Sequence, residues 1–485
     1  MFFRHSIIYL FARGLPSLIA FLSVAIYTRL LNPSEFGIYA LAYTAATLIS
    51  AIMFQWLRIG LLRYYQERSN DQKIVLISTI AVGFIVTTSG LCLLIIPVIA
   101  FYKHVVLLLV VLLLGILQSA FDILLERSRV ELSPVRFGAV ALTRALLMLI
   151  GGVSGYEIAG VIGMLVGLLL GILPIVIVEL RSAISFIKFT QASQIETRRL
   201  LRFGVPLTAT FALAGVMGFA DRYMLAWLSN TAAAGQYTAS YDITQKIIVT
   251  LMMVVNLAGY PLLLNAQGDG DTEKFNIRLK QTLNGLLLIG LPIMSAFVLF
   301  PSTLVDVLLG KAFRLQAIML LPWLSVAALV EGMKVYYFDL SFQLRQNTFH
   351  QAWIVGLAAA LNVGMNLWLI PMYGGLGAAW ATLLANSLAL GLSFAISRTQ
   401  LRMPLFTRDT VLIIVSSSLM CVIMWMILPI ITKELSHSVV RLLSLAIVGG
   451  LIYVTSNLVL NTMGSRKKLI ALWCVVWPRL RWNGM

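Results

Sequence analysis

Charge is scarce in this 485-residue chain: 11% of its residues are Asp, Glu, Lys or Arg, against 60% apolar, and its mean hydropathy is +0.93. That shortage excludes a water-soluble globular protein, whose surface needs far more polar cover. Cysteine and histidine are also thin on the ground. Cys92, Cys421 and Cys474, and His5, His104, His350 and His437, lie far apart with neither CxxC nor HxxxH spacing. No metal site, disulfide framework or redox compartment can therefore be read from them, and no cofactor is expected. A phosphate-cradling nucleotide loop and a nucleophile elbow are lacking too, which leaves no signature of an enzyme.

What the chain has in abundance is apolar runs of 18 residues or more, each long enough to cross about 30 Å of hydrocarbon as a helix. Backbone amides in lipid must pair within their own segment, and the alternation of a membrane barrel is absent, so the fold class is all-α. Spans are expected near 6–28, 37–57, 74–100, 105–125, 137–153, 158–180, 204–227, 236–264, 282–300, 316–338, 351–370, 375–397, 410–430 and 439–461. That makes about fourteen transmembrane helices. The N-terminal stretch is read as the first of them rather than as a cleaved signal, because Arg13 interrupts the run and no small-x-small site follows.

Orientation follows from the 36 lysines and arginines. With the N-terminus inside, only Arg29, Lys103, Lys311, Arg314, Lys433 and Arg441 fall in outer segments, and most of the rest fall in inner ones. Both termini are thus expected in the cytoplasm. The net charge of +17 then reflects short inner loops attracted to anionic headgroups, making membrane lipids the partner and not nucleic acid. The terminal RKKLIALWCVVWPRLRW, with Trp473, Trp477 and Trp482 interleaved, reads as an interfacial tail within 464–485.

One phrase is written twice. GIYALAY at 37–43 and GQYTASY at 235–241 both fit Gly-x-Tyr-x-x-x-Tyr, opening the second and eighth spans. Gly14-Leu15-Pro16 in the first span matches Gly204-Val205-Pro206 in the seventh, and Gly160-Val-Ile-Gly163 matches Gly374-Gly-Leu-Gly377. Six spans separate the copies, an even number, so the repeats are expected to be parallel about an axis along the membrane normal, as in alternating-access carriers. The expected organisation is a lobe at 1–190, a second at 191–400 and an extra helix pair at 401–463. Matched prolines point to a central site, which makes Pro16 and Pro206 hinge candidates; the alternative is that each lies harmlessly in the first turn of its helix.

A charge at the centre of a membrane helix costs about 2.5–3.5 kcal/mol on insertion scales, so charges within spans face protein or water. Arg144, Arg222, Lys246 and Lys334 are such residues, as are Asp221, Asp242, Glu331 and Asp122. Asp242 and Lys246 are four apart, and Glu331 and Lys334 three apart, spacings at which each pair can neutralise itself on one helical face. Asp221 and Arg222 are adjacent and point about 100 degrees apart, so they need partners from another helix or a ligand. Asp122 reads as a proton or sodium site or as a residue of the inner boundary, Arg58 and Arg63 as residues of the inner headgroup layer, and Glu157 and Glu179 as span-end residues. Tyr39, Tyr43, Tyr237 and Tyr241 are candidates for stacking on sugar rings or for interface anchoring.

Three motifs resemble a known family. Leu31-Asn32-Pro33-Ser34-Glu35-Phe36-Gly37-Ile38-Tyr39 is similar to the leucine, glycine, proline, x, x, aromatic, glycine, x, tyrosine signature of polysaccharide exporters, with Asn32 in place of the usual glycine. FGVPLTATFALAGVMGFADRYMLAWLSNTAAAGQYTASY at 203–241 carries Asp221-Arg222-Tyr223-Met224-Leu225 where the family has aspartate-arginine before an apolar stretch, and PMYGGLGAAWAT at 371–382 is the third. The family is the lipid-linked oligosaccharide flippase branch, O-antigen flippases among them, of the multidrug and oligosaccharidyl-lipid exporter (MOP) superfamily. The resemblance implies a MATE-like fold of two six-helix lobes around a cavity lined by helices 1, 2, 7 and 8. It implies transport of an undecaprenyl-diphosphate-linked oligosaccharide across the bacterial inner membrane, alongside polysaccharide polymerase and chain-length proteins, with a proton or sodium ion as coupling ion. Arg29 matches a position where the family places a cavity-facing arginine. Arg29, Arg144 and Arg222 are accordingly the expected diphosphate partners, since a guanidinium fork suits phosphate. Competing readings are a multidrug or cation antiporter of the same superfamily, and a membrane-embedded polysaccharide polymerase or ligase, which would need a sizeable outer loop.

Overall fold

The computed structural model of the protein describes residues 2–66, 68–101, 104–131, 134–345, 348–401, 403–435 and 437–466. Most of the expected tail at 464–485 lies outside the described residues. All regular elements among the described residues are helical: α1 (Phe2–Leu30), α2 (Pro33–Ile49), α3 (Gln55–Tyr64), α4 (Asn70–Phe101), α5 (Val105–Val130), α6 (Pro134–Ala183), α7 (Gln194–Leu228), α8 (Thr231–Thr244), α9 (Thr250–Gly268), α10 (Thr272–Leu299), α11 (Pro301–Leu308), α12 (Arg314–Met333), α13 (Leu340–Leu344), α14 (Thr348–Tyr373), α15 (Gly375–Gln400), α16 (Arg408–Glu434) and α17 (Ser438–Val459). Wide π-turns join α2 to α3 (Ser50–Phe54), α8 to α9 (Gln245–Val249) and α12 towards α13 (Lys334–Phe338). Eleven helices among the described residues are long and apolar enough to cross a bilayer, and Gly14–Leu30 is a shorter apolar helix. This is a multi-pass membrane protein. Leu94 at 68% exposure, Trp425 at 67% and Trp368 at 63% show apolar side chains turned outward, as a protein bathed in lipid requires.

Two of the expected spans are one element. α6 runs through 50 residues, but Ala159 (φ −145, ψ 30) and Gly160 (φ 61, ψ −146) break its helical geometry and reverse the chain. The turn therefore lies at 159–160 rather than between 153 and 158, and its left-handed φ is one that glycine adopts without steric cost. The two arms then press together glycine on glycine. A Cβ on Gly167 would lie 1.9 Å from the Gly151 carbonyl oxygen, and one on Gly163 would lie 2.1 Å from that of Gly155. Gly374 (φ 56), between α14 and α15, repeats the device, with Gly377 held against the Leu369 carbonyl, where a Cβ would meet the oxygen at 2.3 Å.

The chain divides into two compact units, Met1–Ala239 with Val355–Ala381, and Ser240–Ile354 with Thr382–Met485. In the first, α2, α5 and α6 enclose a core around Ala46, Leu114, Phe121, Leu165 and Ile172, while Phe54, Leu57, Leu76 and Leu200 form another among α3, α4 and α7. In the second, Phe300, Met420, Met424 and Leu445 join α10, α16 and α17. Because the α6 arms touch through backbone atoms, no side-chain rotation relieves a larger residue there. We expect Gly167→Leu to lower stability by about 2 kcal/mol or more, the upper range for overpacking, as a depressed melting temperature in detergent. Gly90→Leu, where a new Cβ meets nothing within 4 Å, is expected to stay within about 0.5 kcal/mol.

Candidate functional site

The two copies of the repeated phrase meet. Asn32 caps α2, its side chain accepting from the Glu35 amide at 2.9 Å while the Glu35 carboxylate accepts from the Asn32 amide at 3.0 Å. Asn230 does the same work for α8, accepting from the Ala233 amide at 2.8 Å. Five residues on from each cap stands a glycine, and there the helices cross. A Cβ on Gly37 would lie 2.0 Å from the Thr231 carbonyl oxygen and one on Gly235 would lie 2.1 Å from that of Pro33. The Ser34 and Thr231 hydroxyls share a hydrogen bond of 2.7 Å beside this crossing. The glycines of the phrase are thus contact points at which only backbone fits.

Its tyrosines part ways. Tyr39 lies in an aromatic cluster, edge-on to Tyr27 and Phe36 and stacked on Tyr43 at 6.0 Å. Tyr237 is 1% exposed and donates its hydroxyl to Asp221 Oδ2 at 2.7 Å. Its ring therefore packs against protein in this conformation, and its visible task is to hold a carboxylate.

That carboxylate belongs to the Asp221-Arg222-Tyr223 run on α7, whose side chains do need other helices, as their divergent directions require. Asp221 also accepts from Asn366 Nδ2 on α14 at 2.5 Å, and Asn366 donates to Asn362 at 3.1 Å. Arg222 donates to Thr44 Oγ1 at 3.3 Å and lies over the Phe219 ring, and the Tyr223 hydroxyl donates to the Leu41 carbonyl at 3.0 Å. One residue of the run is tied to α8 and α14 and the next two to α2. Asn362 and Asn366 were not singled out from sequence, although two amides four apart in an apolar helix are themselves a signal.

Arg144 is 3.6 Å from Asp122, stands over the Phe121 ring and donates to Met148 Sδ at 3.4 Å. Asp122 is thereby bound to an expected anion-binding residue. Arg29, exposed at the end of α1, donates to the Ala25 carbonyl at 2.6 Å. Pro16 and Pro206 do not lie in first turns: α1 begins at Phe2 and α7 at Gln194, so both helices run on through their proline. Near the ends of α3, α5 and α6, Arg58 and Arg129 flank the buried Glu126 carboxylate at 3.0 and 2.8 Å, and Arg136 donates to the buried Glu179 at 2.8 Å.

In the second unit, Lys246 pairs with Asp242 at 3.5 Å as its spacing allows. Glu331 and Lys334 do not pair. Lys334 reaches forward to Asp339 at 2.7 Å, and Asp339 also accepts from Ser393 at 2.9 Å and Gln351 at 3.3 Å. Glu331 accepts instead from Gln245 at 2.7 Å and Asn386 at 3.5 Å. The cause is local backbone: Gln245 and Lys334 each open a π-turn, whose extra residue per turn re-aims side chains away from ordinary helical neighbours. Sequence spacing alone gives no warning of a π-turn. The polar groups so arranged hold anionic and cationic charge within apolar helices, each answered by a side chain close by.

A profile described as "Polysaccharide biosynthesis protein" matches residues 26–318. No curated protein sequence matches the chain. Among solved structures, the chain is similar to the lipid II flippase MurJ in an inward closed conformation, with a TM-score of 0.71, 15% identity, and coverage of 96% of this chain and 100% of that one. It is similar to an inward-facing multidrug resistance MATE family transporter of the MOP superfamily (TM-score 0.66, 14% identity, 81% and 97% covered). A MOP superfamily transporter from Pyrococcus furiosus, whose binding pocket has reversed polarity, is similar at TM-score 0.53 and 14% identity, with 82% and 94% covered. These likenesses show the MurJ/MATE-like fold.

Removing one partner of a buried ion pair strands the other. Lys334→Met is expected to cost about 3–5 kcal/mol, read as a lowered melting temperature. Adding Asp339→Asn should restore much of the loss, since an amide at 339 needs no counter-charge.

Proposed function

The chain belongs to the polysaccharide biosynthesis protein family, and from that premise we propose that it is a flippase of the MOP superfamily rather than an enzyme. Its cargo is an undecaprenyl-diphosphate-linked oligosaccharide, the repeat unit of an O-antigen, capsule or exopolysaccharide, moved from the cytoplasmic to the outer leaflet of a bacterial inner membrane. The family match carries this reading, and physics agrees with it. A polyprenyl tail can remain in lipid while the diphosphate and sugars, which hydrocarbon rejects, follow a polar path. Arg29, Arg144 and Arg222 are the proposed diphosphate partners, with Lys246, Tyr39 and Tyr237 beside them. Asp221, Asp242, Glu331 and Asp122 are the proposed carboxylates for a proton or sodium ion, and Pro16 and Pro206 the proposed hinges.

Counting the arms of α6 separately and adding α1 and α7 to the other apolar helices supports fourteen spans; an even number puts both termini on one side, and the lysine and arginine bias argues that this side is the cytoplasm. Equal spacing of Asn32, Gly37 and Tyr39 from Asn230, Gly235 and Tyr237 supports parallel repeats over 1–190 and 191–400. So does the matched pair of positive-φ glycines, Gly160 and Gly374. The repeats alternate access by rocking, and α16 and α17 form an added pair in 401–463. A MATE-like antiporter is the second reading, favoured by the shared fold; the wider coverage with MurJ than with that transporter favours the flippase.

In a strain lacking the gene, one lipid-linked saccharide is expected to accumulate on the cytoplasmic face, and accumulation on the outer face instead would overturn the assignment. Complementation by Arg222→Gln or Arg144→Gln at matched protein level should lower surface glycan about tenfold, the scale of one lost charge-assisted hydrogen bond. Gly37→Val should abolish complementation as well, because α2 and α8 can no longer reach their observed contact.

A further inference from the structure

We propose that the cleft where α3, α4 and α7 meet is a binding site for the phosphate headgroup of an anionic phospholipid. The cleft exists because α3 and α7 cross at two glycines. A Cβ on Gly60 would meet Leu200 Cδ2 at 2.3 Å, and one on Gly204 would meet the Trp56 backbone oxygen at 2.8 Å. This close crossing brings the end of α3 alongside the first turns of α7. The result is a pocket of about 210 Å³ lined by Tyr64, Arg68, Gln72, Val75, Glu196 and Arg199.

Its polar groups are pre-set around one ring. Arg199 lies over Tyr64 at 4.5 Å and Arg68 at 5.8 Å, while Phe203 meets the same ring edge-on. Glu196 holds Arg68 at 2.7 Å and stands 4.0 Å from Arg199. Two guanidiniums against one carboxylate leave the pocket with a surplus positive charge. Arg68 spends a single N–H on Glu196 out of five, and Arg199 hydrogen-bonds no described residue. Gln72 adds an amide whose oxygen already accepts from the Ser69 backbone, leaving its nitrogen to donate. Convergent forked donors with fixed stems suit a phosphate.

The surroundings indicate which phosphate. The segment between α6 and α7 is strapped to α4: the Lys188 amide donates to Ser78 Oγ at 2.8 Å and the Ser193 amide to Thr79 Oγ1 at 3.1 Å. Along this strap Ile184, Phe189 and Ile195 are exposed. Apolar side chains exposed beside a cationic pocket at the ends of membrane helices place that pocket at headgroup depth, with acyl chains able to lie along the strap. The assignment requires a membrane-spanning chain but not the carriage of a saccharide, so it stands or falls separately from the flippase reading.

Native mass spectrometry of the full chain in detergent, with phosphatidylglycerol and phosphatidylcholine as probes, tests it. The wild type should retain phosphatidylglycerol in preference to phosphatidylcholine, and Arg199→Gln should reduce that retention about tenfold. This variant leaves the Arg68–Glu196 pair in place, and an unchanged melting temperature confirms its fold. The double variant Arg68→Gln/Arg199→Gln should lose the preference altogether. Equal retention by wild type and Arg199→Gln overturns the proposal. So does binding of undecaprenyl diphosphate that depends on Arg199 while phosphatidylglycerol binding does not, which would make the pocket an entry point for cargo.

Discussion

The intolerance of hydrocarbon for unpaired polar groups governs this molecule. A chain with so few charges holds each one inside the membrane only where a partner answers it. Asp221 illustrates the constraint: a phenol from α8 and an amide from α14 converge on one carboxylate. Lys334 and Asp339, with Ser393 and Gln351 around them, are another instance within the second unit. Such clusters tie helices that are distant in sequence, so they set helix register while keeping charge buried.

Close backbone approach is the complementary device. Dispersion between large side chains cannot distinguish one helix pairing from another in lipid, whereas a glycine on glycine contact admits a single arrangement. The chain uses such contacts within the α6 hairpin and at the α2–α8 crossing, while at the α3–α7 crossing Gly60 and Gly204 make room for Leu200 and Trp56. Each has a local consequence. The first makes a reversal inside one long helix, the second joins the two copies of the repeated phrase, and the third shapes a cationic cleft beside Tyr64.

Polar side chains near the π-turns show how much a small backbone change redirects. With ordinary helical geometry, Glu331 and Lys334 would share a face. The inserted residue sends Lys334 to Asp339 and leaves Glu331 to Gln245 and Asn386. The proposed ion-coupling role for Glu331 gains from this, because a carboxylate met by neutral amides can change protonation without breaking an ion pair.

Composition and hydropathy alone determined that this is an all-helical membrane protein, because hydrocarbon admits only helices and closed barrels and the alternation of a barrel is absent. The doubled phrase and the paired glycines were equally legible, since a repeated backbone requirement writes itself as a repeated residue. The partners of Asp221, Arg222 and Lys334 were not legible, and the reversal, expected between 153 and 158, lies at Ala159–Gly160. Those depend on which helices lie side by side and where a π-turn inserts a residue. The contacts of Asp221 with Asn366 and of Arg222 with Thr44 join segments more than a hundred residues apart, whose energies no local stretch of sequence contains.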